Sequence, residues 1–149
     1  MIASLQNMVS EAQKERGEMR SLVLVTVALA ASINVARAQD AAAGEAVFRQ
    51  CRSCHQVGIQ PDGKPARNLV GPALDGLDGR KSGTVAGYDY SPFNKNSGIT
   101  WNEASFKEYI VNPAAKIPGT KMAFAGIKKE KDVADLWAYL KQFKADGSK

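Results

Sequence analysis

Toward the C-terminus, apolar side chains recur with the period of a helix. Val133, Leu136, Trp137, Leu140 and Phe143 stand at i, i+3, i+4, i+7 and i+10, which predicts an amphipathic helix over roughly residues 129–144. A second helix is predicted over 100–113, "TWNEASFKEYIVNP", where Thr100 and Glu103 have capping-box spacing and Asn112-Pro113 supplies the stop. Residues 41–54, "AAAGEAVFRQCRSC", combine good helix formers with apolar Val47 and Phe48, so a helix running into the cysteines is expected. From Gln56 to Gly87 the chain is rich in Gly, Pro, Asn and Asp and carries no strand pattern. A long irregular region of this kind is usually functional or wrapped around something. Three helices joined by long loops make a small all-α domain. The helices alone offer a thin core, so something else is expected to fill the middle.

The first forty residues differ in kind. Residues 22–33, "LVLVTVALAASI", form a nearly unbroken apolar run, with Arg20 before it and "ARAQD" after it. A basic residue, a short apolar run and an A-x-A site predict a secretory signal peptide cut after Ala38. The run is shorter than the roughly 20 apolar residues a membrane span needs. An uncleaved N-terminal anchor is the alternative, which would leave the domain membrane-anchored. The eighteen residues before Met19 carry Glu11, Glu15 and Glu18 against Lys14 and Arg16, a poor fit to a positive n-region. Translation is therefore expected to start at Met19. The domain assignment is 1–38 for extension and signal peptide and 39–149 for one mature domain.

Composition changes this picture little. The 149-residue chain carries a formal charge of +5. Loss of residues 1–38 removes four basic and three acidic side chains and leaves +4. This mild excess can steer the protein toward acidic surfaces. There is no dense basic stripe, so no nucleic-acid partner is expected. Cleavage also removes Met1, Met8 and Met19, leaving Met122 as the one methionine.

Candidate chemistry is concentrated in "CRSCH", Cys51 to His55, the C-x-x-C-H pattern of covalent c-type haem attachment. Two thiols three positions apart can reach the two vinyl groups on one porphyrin edge, and the adjacent histidine is carried under the iron. Rival readings are a structural disulfide, a thioredoxin-like redox pair and a zinc site. The redox pair lacks its βαβ context, and zinc would find an incomplete ligand set of two thiols and one imidazole. The export signal favours haem, because covalent haem attachment is a chemistry of exported chains.

His55 is the only histidine, so ligation by two histidines of this chain is impossible. A strong-field sixth ligand would be Met122 or a lysine amine. Met122 stands in the loop "PGTKMAFAG", where a thioether has little core to fill. Taken alone it reads as a loop methionine touching the core. Beside C-x-x-C-H it becomes a candidate ligand that would raise the potential of the iron.

The ordered series "CRSCH", "VGPALDGLDGRKSG", "YDYSPFNKNSGITW", "YIVNPAAKIPGTKMAFAGIKK" and "DLWAYLK", spanning Gly44 to Phe143, resembles class I cytochrome c of the mitochondrial type and its periplasmic bacterial relatives. The resemblance implies the small cytochrome c fold, three main helices plus short ones and long loops around one covalent haem c. It implies thioethers at Cys51 and Cys54, with His55 and Met122 as axial ligands. Pro72 would accept the ring N–H of His55. Arg80, Tyr90 and Trp101 would hold the propionates. Asn94, Tyr109 and Thr120 would form the polar network toward the methionine side, and Phe124 would pack on the haem edge. Gly44, Phe48, Leu136 and Tyr139 match the contact between first and last helices.

The resemblance further implies a monomeric, exported electron carrier of the periplasm rather than an enzyme. Its partners would be a cytochrome bc complex and an oxidase or reaction centre, met through Lys121, Lys128 and Lys129, without stable membrane insertion once the leader is removed. A small haem peroxidase or gas-binding protein with an open sixth site is the alternative. Three features depart from the family pattern. Ala114-Ala115 replace a lysine pair after Asn-Pro, Gln50 stands where lysine is common, and the loop 56–70 is longer than in mitochondrial proteins. The lysine ring is thus thinner, and weaker electrostatic docking is expected.

Overall fold

The computed structural model describes residues 39–149, so the leader, its cut after Ala38 and the start at Met19 lie outside the described residues. The elements are α1 (Ala41–Phe48), a 3-10 turn (Arg49–Cys51), α2 (Pro92–Lys95), α3 (Glu103–Val111), α4 (Pro113–Lys116) and α5 (Glu130–Leu140). Among the described residues the only sheet-like pairing is one isolated bridge, Lys81 with Thr100.

Each boundary has a local cause. Asp40 caps α1, its carboxylate accepting from the Ala42 and Ala43 N–H groups at 2.9 and 3.1 Å. The helix does not continue as α through Cys54. It tightens over Arg49–Cys51, and the Cys51 carbonyl then accepts from Cys54 and His55 at 3.0 and 2.8 Å. The cysteines and the histidine thus share one tight turn.

The predicted capping box is displaced by two residues. Asn102 accepts from the Ser105 N–H, and the Ser105 hydroxyl accepts from the Asn102 N–H, both at 2.9 Å. Thr100 lies outside α3, where its carbonyl accepts from the Ser105 hydroxyl at 3.0 Å. Asn112 then breaks α3 and caps α4, which begins at Pro113, a position where the missing N–H costs nothing. The last helix is shorter than the predicted 129–144, yet Phe143, in the turn beyond it, remains buried.

Helix α1 crosses α5 at Gly44. A Cβ there would lie 2.0 Å from the Asp135 carbonyl oxygen and 2.8 Å from the Tyr139 Cβ, so only glycine permits the approach. Phe48 and Tyr139 pack with ring centroids 5.5 Å apart, and Leu136 is buried beside them. Asp135, buried in α5, accepts from the Asp40 N–H at 3.0 Å and from Lys131 at 2.5 Å. Helix α3 joins the same core through Phe106 and Trp137, 5.1 Å between centroids.

The irregular segment is organised by side chains instead of a ladder. The Asn68 amide donates to the Ala86 carbonyl and accepts from the Ala73 N–H, both at 2.9 Å. Buried Asp75 accepts from the Gly58 and Ala66 N–H groups at 2.6 and 3.3 Å. These bonds satisfy backbone groups that no helix or sheet could serve. Among the described residues no helix is long and apolar enough to cross a membrane.

Candidate functional site

All twelve site residues expected from the sequence line one cavity of about 430 Å³. That volume lies in the roughly 300–1,000 Å³ range of cofactor and small-molecule sites. Phe48, Leu74, Leu77, Phe106, Ile110, Leu136 and Leu140 supply apolar walls, so the thin helical core surrounds a space.

The Nδ1 of His55 lies 2.7 Å from the Pro72 carbonyl oxygen. Paired this way, Nδ1 is the donor and Nε2 is left with its lone pair for a metal. Burial holds the imidazole below its usual pKa, opposed by the Pro72 bond, so the neutral form needed for ligation is favoured. Gly71 completes the seat. A Cβ there would lie 2.3 Å from the imidazole Cε1 and 2.8 Å from either ring nitrogen. Cys51 and Cys54 are free thiols in the turn before it. Burial, with Cys54 beside it, pushes the Cys51 thiol up to about 11. A dithiol redox pair relies on a lowered thiol pKa, so the direction at Cys51 gives the thioredoxin-like reading no support. No cluster of three or more metal-ligating His, Cys, Asp or Glu side chains occurs among the described residues.

One end of the cavity is polar. Arg80 is half-buried, and its guanidinium donates to the Asp75 and Ala73 carbonyls at 2.6 and 3.2 Å. It makes no salt bridge among the described residues, and desolvation pulls its pKa down. A desolvated guanidinium held only by neutral carbonyls is suited to receive an anion. Tyr90, Trp101 and Asn94 line the same cavity, and the Trp101 backbone N–H donates to the Arg80 carbonyl at 2.9 Å. Buried Trp101 packs edge-on against Tyr109, 5.1 Å between centroids. The Tyr109 hydroxyl pairs with Thr120 Oγ1 at 3.1 Å, and Thr120 Oγ1 accepts from the Met122 N–H at 3.3 Å. Asn94, buried, accepts from the Ser91 hydroxyl at 2.9 Å. Met122 and Phe124 are half-buried on the cavity wall.

These residues fit haem c. The group is an apolar macrocycle with two carboxylates on one edge. The cavity matches it with apolar walls, a cationic donor at one end and a thiol pair with an imidazole on one turn.

The docking lysines are less free than the sequence suggests. Lys121 donates to the Asp89 carboxylate and carbonyl at 2.6 and 2.7 Å, and Lys128 donates to the Val111 carbonyl at 2.6 Å. Lys129, exposed, is the N-cap position of α5.

Five contributors escaped the sequence reading. Gly71 is visible only as the middle of "VGP", and nothing there announces a ring against it. Tyr88 lines the cavity and donates to the Val70 carbonyl at 2.8 Å. Ser82 lines it too, and its hydroxyl is the one buried side-chain polar atom without a partner among the described residues. Asn68 and Asp75 act at a distance, by tying the loops that carry Pro72 and Tyr88.

A family description, Cytochrome c, matches residues 41–144. The chain is 60% identical over 131 residues to cytochrome c2 of Blastochloris viridis, covering 88% of this chain and 99% of that protein. It is 60% identical over 108 residues to cytochrome c-550 of Nitrobacter winogradskyi, covering 72% and 94%. Among solved structures, cytochrome cH from Methylobacterium extorquens aligns at a TM-score of 0.62 and 44% identity, over 69% of this chain and 98% of that one.

Proposed function

The chain belongs to the cytochrome c family, a haem c electron carrier rather than an enzyme, and from that premise we propose that its iron is held by His55 and Met122. The observation that supports this reading is the convergence of both side chains on one cavity, with the imidazole Nδ1 already committed to Pro72 at 2.7 Å. Haem c supplies a one-electron couple when bound. Cys51 and Cys54 tether it through thioethers. Pro72 and Gly71 fix the imidazole, so Nε2 keeps one direction in both redox states. Thr120 positions the strap bearing Met122, whose soft thioether favours the reduced iron and raises the potential. Arg80, Tyr90 and Trp101 take the propionates, while Asn94 and Tyr109 order the polar network beside them, and Phe124 covers the exposed edge. Holding the iron between two side chains of this chain would keep reorganisation small.

The carrier works in the periplasm, between a cytochrome bc complex and an oxidase or reaction centre, and meets them through the surface bearing Lys121, Lys128 and Lys129. One optical experiment tests the ligand assignment. The ferric protein is expected to show the sulfur–iron charge-transfer band, and the ferrous protein to resist carbon monoxide. Absence of the band, or ready binding of carbon monoxide, would favour an open-site peroxidase or gas-binding protein instead.

A further inference from the structure

Phe93 is 59% exposed, an unusual place for a large aromatic. Its ring is nevertheless in contact with the chain. A Cβ on Gly119 would lie 2.3 Å from its Cδ2 and 2.5 Å from its Cε2, so the ring rests directly on the backbone of Gly119. Two residues further along the same strap, Lys121 donates to Asp89 at 2.6 and 2.7 Å. Residues 89–93 therefore grip the strap 118–122 at two points. Neither Asp89 nor Phe93 lines the cavity, so both grips act from outside it.

The gripping segment is itself well held. Pro92 opens α2, and Ser91 caps it by accepting from the Asn94 N–H at 3.2 Å. The strap is not. From Lys121 to Lys129 there is no helix or strand, and Met122 depends on its N–H bond to Thr120 Oγ1 at 3.3 Å. A segment with few backbone bonds opens at little cost unless side chains hold it.

We propose that Phe93 and Asp89 are positioning residues for Met122, forming an external clasp that sets how often the strap opens. The proposal rests on Met122 being the sixth ligand. Phe93 shields the Gly119 backbone and Asp89 anchors the Lys121 side chain, while Tyr109 and Thr120 hold the same strap from within. Opening requires both outer grips to release.

The test uses the ferric holoprotein and imidazole, an external ligand that reaches the iron only when the strap is open. Apparent affinity scales with the open fraction, so Phe93→Ala is expected to bind imidazole about five- to tenfold more tightly, and Asp89→Asn about two- to fivefold. Phe93→Leu keeps an apolar cover on Gly119 and is expected to stay within about twofold of the parent. In urea, the sulfur–iron band of Phe93→Ala should vanish well before its helical signal. A variant that merely weakens the fold would lose both together. If the parent lacks the band, the ligand assignment fails and takes the clasp with it. If the parent shows the band but Phe93→Ala binds imidazole like the parent, or loses band and helix together, the clasp alone is wrong.

Discussion

The Nδ1 of His55 lies 2.7 Å from the Pro72 carbonyl oxygen, so residues 17 apart in sequence set the tautomer and the direction of one imidazole. The neighbouring Gly71 lies against the same ring, and its lack of a side chain is the condition for that bond. Gly71→Ala would place a Cβ 2.3 Å from the imidazole Cε1. The ring is also held by its bond to the Pro72 carbonyl, so the strain is expected to cost about 1–3 kcal/mol of stability. The urea midpoint of the holoprotein should fall, and the reduction potential should shift with the altered ligand. An unchanged midpoint and potential would mean that the loop relaxes freely.

Met122 is the only thioether in residues 39–149. Met122→Ala is expected to lower the potential, abolish the sulfur–iron band and let the ferrous protein bind carbon monoxide, because no second histidine can replace it. Some peroxidase-like turnover should appear with the opened site. A redox titration superimposable on that of the parent would refute methionine ligation.

Gly44→Ala pits two effects against each other. Alanine gains about 1 kcal/mol over glycine in a helix interior. Against that, its Cβ would stand 2.0 Å from the Asp135 carbonyl oxygen, a backbone atom that moves only if α5 moves. Overpacking of this kind costs about 1–3 kcal/mol or more, so the crossing is expected to win and stability to fall. Urea unfolding decides it, and a variant as stable as the parent would show that the two helices can slide apart cheaply.

Much of this was legible because the chemistry is carried by rare residues. One histidine, two cysteines and one methionine within residues 39–149 leave few assignments open, and the i, i+3, i+4 spacing of Val133, Leu136 and Trp137 fixes the inward face of α5. The boundaries were less legible. Thr100 and Glu103 have the spacing of a capping box, but Asn102 and Ser105 form it, since Asn102 is the residue held in extended conformation before the first turn. Gly71 was hidden for a different reason. Its requirement comes from a ring 16 positions away, and no local pattern encodes a contact of that range. The same holds for Phe93, whose ring on α2 rests against Gly119, 26 positions away.

Asp135 gives a pH prediction with a definite sign. The Lys131 ammonium, then the Asp40 N–H, hold its carboxyl below the usual carboxylate range. A depressed folded-state pKa contributes stability above the unfolded-state value, and that contribution is lost as the pH falls through the folded value. Asp135→Asn keeps an acceptor for Asp40 but loses the charge. It is expected to be about 0.5–1 kcal/mol less stable than the parent at neutral pH, the range of an ion pair whose lysine is half exposed. The gap should close as the pH drops below about 4. Urea midpoints of both proteins across that range check it, and a constant gap would refute the charge argument.

Electron transfer to an acidic partner should depend unequally on the three lysines. Lys121 is paired with Asp89, so that pair is nearly neutral at a distance, whereas exposed Lys129 presents its full charge at the start of α5. Lys129→Gln is expected to slow association at low ionic strength by roughly two- to threefold, and Lys121→Gln by less. Asp89→Asn frees the Lys121 charge and should speed association by a similar factor. That substitution also loosens one grip on the strap, and the two consequences separate by their salt dependence. Steering fades once the screening length falls to about 3 Å near 1 M salt, while strap opening persists. The rate of Lys129→Gln should therefore converge on the parent as salt rises, whereas any difference left for Asp89→Asn in high salt reports strap opening. Rates that stay apart in high salt would place the difference at the iron rather than in the encounter.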